Sequence, residues 1–205
     1  MRIGNFIKLF IGGLVVLAAT SFNTTLQWSL QKNEDSIKVF TRETPNTNLK
    51  EVKVLFTVKS TPNKIANTVL DVENHDVWME NVDVAKTLKT INQNESYVYY
   101  EFDFPWPSSN RDVVNHTRIY RDSNNEITKI TTIATPDFIP EKDGIVRITV
   151  SDGTWIFKPL DNGFVEVNHV LLASPGGDVP EWVVNMFVIN QPFESHKKLK
   201  NFLEK

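Results

Sequence analysis

Residues 51–58 read Glu-Val-Lys-Val-Leu-Phe-Thr-Val, and the repeat places Val52, Val54, Phe56 and Val58 on one face. A period of two is that of a strand with one side buried. Upstream, Ser36 to Thr41 alternates in the same way and pairs with it as an antiparallel neighbour. Downstream, Thr61 stands as an N-cap before Pro62 at the first helical position. Ile65, Ala66, Val69, Leu70 and Val72 then recur at helical spacing, which predicts a helix from about Pro62 to Asp71.

Beyond this hairpin and helix the chain is rich in strand signals. Tyr97 to Phe104, Asp112 to Tyr120, Ile127 to Ala134, Val146 to Val150, Thr154 to Lys158 and Val165 to Leu172 concentrate β-branched and aromatic residues. Asp122-Ser123-Asn124-Asn125, Asp152-Gly153 and Asp161-Asn162-Gly163 read as hairpin turns between them, so the sheet is mostly antiparallel. Thr135 to Gly144, with Pro136 and Pro140, is a long ordered loop. After Pro175-Gly176-Gly177-Asp178, where Asp178 can cap, a helix runs to about Leu203. Trp182, Met186, Ile189 and Phe193 fall on one stripe of it, while the half carrying Lys197, Lys198 and Lys200 is solvated. Pro192 removes a backbone hydrogen bond and predicts a kink or short break at a cost of roughly 3 kcal/mol.

Composition narrows the chemistry. The 205 residues, 40% hydrophobic, suit one domain with a sizeable core. A net charge of -3 without runs of like charge gives no footprint for nucleic acid. The sequence has no Cys, which removes disulfides, thiolate nucleophiles and cysteine metal sites. Asp71 and His75 sit one helical turn apart, but zinc needs at least three protein ligands, so we read them as a cap or solvent-facing pair and expect no metal.

The first residues differ in kind. Arg2 and Lys8 precede an apolar run from Leu9 to Ala19, followed by the small residues Ala18, Ala19 and Ser21, the layout of a secretory signal. Residues 1–21 are therefore expected to be an export signal, leaving a soluble domain over 26–205 in the periplasm or outside the cell. The run is shorter than the ~20 residues that span a bilayer, which makes a retained membrane anchor the lesser alternative.

Several stretches, in order along the mature chain, resemble START domains, the StAR-related lipid-transfer domains. They are Trp28 with Ile37 to Arg42; Asp71 with Trp78; Pro105-Trp106-Pro107 followed by Asn110-Arg111-Asp112; Pro140 with Gly144 to Arg147; Trp155 to Pro159; and Gly177 to Asn185. The resemblance implies an α+β helix-grip fold, in which a curved antiparallel sheet wraps around a long C-terminal helix and leaves a tunnel. A lipid or sterol-like molecule would occupy that tunnel, with no cofactor, transient membrane contact and a monomeric carrier. A sheet covered by one amphipathic helix has more apolar inner surface than the helix can bury, so a cavity of ~300–1,000 Å³ is physically natural.

Within that frame the resemblance makes Arg111 the candidate polar anchor of the tunnel, with Glu95 or Glu101 as its acidic partner; the other reading is that Arg111 and Asp112 pin the start of a strand. A buried guanidinium must meet an oxygen in either case. Trp155, His169, Trp182, Met186 and Ile189 are the further candidates for ligand contact. The alternative from another class is an enzyme of the aromatase/cyclase type, since fold alone does not decide function. No Ser-His-Asp order, phosphate loop, His-Glu-x-x-His or paired carboxylate motif supports it, and catalysis is not expected.

Overall fold

A computed structural model of the protein describes residues 27–205, apart from 46, 48 and 178. The expected export segment and the capping role of Asp178 lie outside the described residues. Ten strands form a single sheet: Ser29–Glu34 (β1), Ile37–Glu43 (β2), Lys50–Lys59 (β3), Val82–Asn92 (β4), Glu95–Phe102 (β5), Arg111–Arg121 (β6), Ile127–Ala134 (β7), Val146–Arg147 (β8), Ser151–Pro159 (β9) and Phe164–Ala173 (β10). Their order is β1-β2-β3-β10-β9-β7-β6-β5-β4, with β8 beside β6. All neighbours are antiparallel except β6 and β8. The sheet curves around the C-terminal helix, giving the α+β helix-grip fold.

The alternation in β3 decides which face is inside. Val52, Val54, Phe56 and Val58 are buried, and β3 joins β2 to β10 in the middle of the sheet. The helix Pro62–Leu70 (α1) starts as the sequence predicts: Lys64 N–H donates to Thr61 Oγ1 at 3.2 Å. Its buried stripe, Ile65, Ala66 and Val69, packs on β7 and β9.

Three local expectations are corrected. The strand β4 has no counterpart in the sequence reading, because Val-Asp-Val-Ala-Lys-Thr-Leu-Lys-Thr-Ile-Asn is polar at most positions; it is an edge strand whose pairing with β5 shifts register three times. Asp152-Gly153 is not a hairpin turn. Both residues lie inside β9, with Gly153 opposite Thr132 on one side and Leu171 on the other. A Cβ at Gly153 would collide with Thr132 Oγ1, so the glycine answers a close approach on the concave face, the other physical reason for a strand glycine. The segment Val146 to Val150 contributes only the two-residue β8.

The C-terminal helix has three parts. Glu181–Asn185 (α2) is α-helical, Met186–Asn190 is a π turn, and Gln191–Leu203 (α3) is α-helical again, with Pro192 in its first turn. The break foreseen at Pro192 thus takes the form of a wider turn just ahead of it, in which Gln191 N–H reaches back to Met186 O. The half expected to be solvated is amphipathic. Phe193, His196, Leu199 and Leu203 are buried, and α3 packs on β2 and β3, while Lys197 and Lys198 point outward to Asp35 and Glu80.

Candidate functional site

Between the concave face of the sheet and the C-terminal helix lies a cavity of about 440 Å³. Its solid end is the core around Phe193, Leu199 and Leu203. Its wall comes from alternate residues of successive strands, among them Val54, Val98, Val113, Ile130 and Trp155, and is closed by Val184, Phe187 and Val188 of the helix. Strand periodicity explains the sheet side: only residues on the inward face of each pleat reach the cavity.

Polar side chains share this wall with the apolar ones, among them His75, Tyr100, Asn115, His169 and His196. His75, 2% exposed, places Nε2 2.9 Å from Val69 O and Nδ1 3.1 Å from Tyr100 Oη. The carbonyl can only accept, so Nε2 carries the proton and Nδ1 accepts from the tyrosine. Burial lowers the His75 pKa from 6.5 to about 4, against the smaller opposing effect of the Val69 carbonyl. His169 and His196 form a second pair, Nδ1 to Nε2 at 3.0 Å, and His196 Nδ1 lies 2.6 Å from Pro192 O. Burial lowers the His196 pKa to about 4; burial, then the neighbouring His196, takes His169 well below its ordinary value. Trp155 stacks on His169 at 3.8 Å between ring centroids, and Trp78 meets Trp155 edge-on at 6.3 Å. Trp78 Nε1 and Asn115 Oδ1 are buried on the wall without a hydrogen-bond partner.

The candidates named from sequence separate into two groups. Trp155 and His169 line the cavity, as does Glu95, which is half-exposed and engaged by His116 and Arg118. Arg111 does not line it. Its guanidinium donates to Pro175 O, Ser109 O and Gly176 O and lies 4.3 Å over the Phe104 ring. It therefore holds the loop ahead of the C-terminal helix, closer to the strand-pinning reading than to a tunnel anchor. Neither acid proposed for it is its partner, because Glu101 accepts from Lys142 Nζ at 2.9 Å and Tyr99 Oη at 3.0 Å. The fully buried charged pair at this end is Arg147 with Asp112.

Trp182, Met186 and Ile189 also face away from the cavity. Trp182 is 54% exposed, and the other two are half-buried. Residues 182–189 are apolar on nearly every side, so periodicity could not choose between the stripe of bulky residues and the Val184, Phe187, Val188 stripe that lines the cavity. Sequence reading also missed His196, Trp78 and Thr132, which belong to elements far apart in the chain and meet only through the fold. No helix among the described residues is long and apolar enough to cross a membrane.

Comparison with known proteins agrees with this architecture. The START domain family matches residues 23–205. A crystal structure of a STAR-related lipid transfer protein from Xanthomonas axonopodis, 32% identical, superposes with a TM-score of 0.77 over 87% of this chain and 99% of that one. An uncharacterized protein of Pseudomonas aeruginosa is 29% identical over 94% of this chain and 96% of its own length. The phosphatidylcholine transfer protein of Rattus norvegicus is 27% identical over 79% of this chain and 77% of its own.

Proposed function

This chain belongs to the START domain family, and from that we propose that it binds and carries one lipid or other hydrophobic small molecule, without catalysis and outside the cytoplasm. The observation that carries this reading is the cavity of about 440 Å³ closed by apolar side chains from both sheet and helix. At ~30 Å³ per water-sized unit it takes on the order of fifteen non-hydrogen atoms, one long chain or one compact ring system. Burial of that ligand's surface at about 25 cal/mol per Å² supplies the affinity, offset by ordering costs.

In this reading the first half of the C-terminal helix is the gate. Gly176 and Gly177 at positive φ precede it, and the π turn Met186–Asn190 interrupts its hydrogen bonding; both are places where backbone can turn with little loss. Trp106 and Trp182 are 90% and 54% exposed and belong to the loop and the helix that the Phe104–Phe187 stack ties together. Amphipathic rings so placed suit brief contact with a membrane interface by a monomeric carrier. Arg2, Lys8 and the apolar run after them support export.

Purification from the native source under mild conditions, followed by mass spectrometry, tests the proposal. One lipid per chain is expected. An empty protein that turns over an added polyketide would replace it with the aromatase/cyclase reading.

A further inference from the structure

A band of hydroxyls crosses the concave face of the sheet. Thr90 of β4 stands opposite Ser96 of β5, Ser96 opposite Thr117 of β6, and Thr117 opposite Thr132 of β7. All four residues line the cavity. The band ends at β9, where Gly153 faces Thr132 and leaves room for its side chain. Ile119, Ile130 and Trp155 lie on one side of it, Val98 and Val113 on the other. Thr90 is exposed at the sheet edge and Thr117 is 5% exposed, so the band leads from solvent into the interior.

Among the described residues no hydrogen bond engages the hydroxyls of Ser96, Thr117 and Thr132. Asn115 Oδ1, two residues from Thr117 on the same face of β6, is buried without a partner, as is Trp78 Nε1 elsewhere on the wall. Asn115 is 8% exposed and Trp78 2%, and a buried polar atom left alone costs stability. These groups are met by a ligand that brings both a donor and acceptor oxygens: Oδ1 takes a proton, Nε1 gives one, and hydroxyls do either. Formal charge has no counterpart here. Of the charged residues on the wall, Lys50 pairs with Glu43, and Glu95 with His116 and Arg118. Burial keeps His75, His169 and His196 neutral. An ionised group drawn into the middle of the sheet would leave water without a counter-charge.

Resting on the carrier reading above, we propose that the band Ser96, Thr117 and Thr132, with Asn115 beside it, is the site for an uncharged, hydroxyl-bearing polar group of the ligand. The ligand is then a neutral lipid that carries hydroxyl and ester oxygens together, as a monoacylglycerol does, with its hydrocarbon on the apolar wall to either side.

Monodecanoylglycerol and propyl decanoate share their carbon count and their ester and differ only in the hydroxyls. Binding of each to the full chain is followed by tryptophan emission, since Trp78 and Trp155 line the cavity. Thr117→Val and Thr132→Val remove a hydroxyl while keeping a β-branched side chain suited to a strand. Each is expected to weaken the glyceride roughly fivefold relative to the propyl ester, whereas Thr154→Val, on the opposite face of β9, leaves the ratio unchanged. The unfolding temperature of both wall variants should be held or raised, because a polar group leaves the interior, which separates lost binding from lost folding. The phosphate ester of monodecanoylglycerol adds charge at the same chain length and is expected to bind several-fold more weakly than the glyceride. A ratio unchanged in both wall variants, or tighter binding of the phosphate ester, overturns the inference and leaves the carrier reading standing. If neither the glyceride nor the propyl ester binds, the mass spectrum of the native protein decides. An uncharged, hydroxyl-bearing lipid supports the inference, an ionised or hydroxyl-free one overturns it alone, and no lipid at all overturns both.

Discussion

Arg147 and Asp112 are joined by two buried hydrogen bonds, Nε to Oδ1 at 2.7 Å and Nη2 to Oδ2 at 3.0 Å, with both side chains 1% exposed. The same guanidinium donates to the carbonyls of Pro136, Ile139 and Pro140, so the pair fastens the 135–144 loop to β6. Asp112→Ala leaves a buried cation without its counter-charge and is expected to cost about 3–5 kcal/mol. Thermal unfolding should then move down by on the order of 10 °C. The double replacement Asp112→Leu with Arg147→Met should cost less than Asp112→Ala alone; a double variant at least as unstable would mean that the loop contacts, not the charges, dominate.

Arg111 fastens the other approach to the cavity through Pro175 O and Gly176 O. Arg111→Met keeps apolar packing on Phe104 and removes those bonds. Stopped-flow displacement of bound lipid should show several-fold faster release, by the same factor for polar-headed and plain hydrocarbon ligands, because the residue does not line the cavity. Selective loss of the polar-headed ligand would return Arg111 to an anchoring role.

The buried histidines set an acid limit. His75 and His196 have pKa values lowered from 6.5 to about 4, so between these values the unfolded chain binds more protons than the folded one. Their neutral burial is harmless above pH 6.5 and costs stability as pH falls toward 4, on the order of 3 kcal/mol for each ring. Denaturant titrations at steps from pH 7.5 to 4.5 should show a steady fall. His75→Phe should flatten part of that slope, and an unchanged slope would acquit this ring.

Filling the cavity should separate folding from binding. Val188 lines it from the π turn, and Val188→Trp places an indole in the empty space. The expected outcome is a Tm held or raised by the added packing, together with loss of co-purifying lipid. Retention of a full equivalent of lipid would show that ligand occupies some other part of the molecule.

Much of the fold was legible because its signals are local. Val52 to Val58 announced a half-buried strand, and Thr61-Pro62 announced a helix start, each by residues adjacent in the chain. Val82–Asn92 was not legible: an edge strand facing solvent has little apolar alternation to read. Asp152-Gly153 was misread since a glycine required by a neighbouring strand looks like one required by a turn. At the site, Trp155 and His169 could be placed from their strand phase, whereas the half of the helix around Trp182 offered two apolar stripes. His196 lay unnoticed beside Lys197 and Lys198, since its partner His169 is in a strand whose proximity only the fold creates.

The two outermost strands, β1 and β4, are both irregular. The first slips once against its neighbour, between Leu30 and Lys32, and the second slips three times. A stray strand from another molecule, arriving at either margin, would find no continuous row of amides and carbonyls to zip onto. Interrupted margins of this kind are one way in which a sheet protein discourages the addition of strands from other chains.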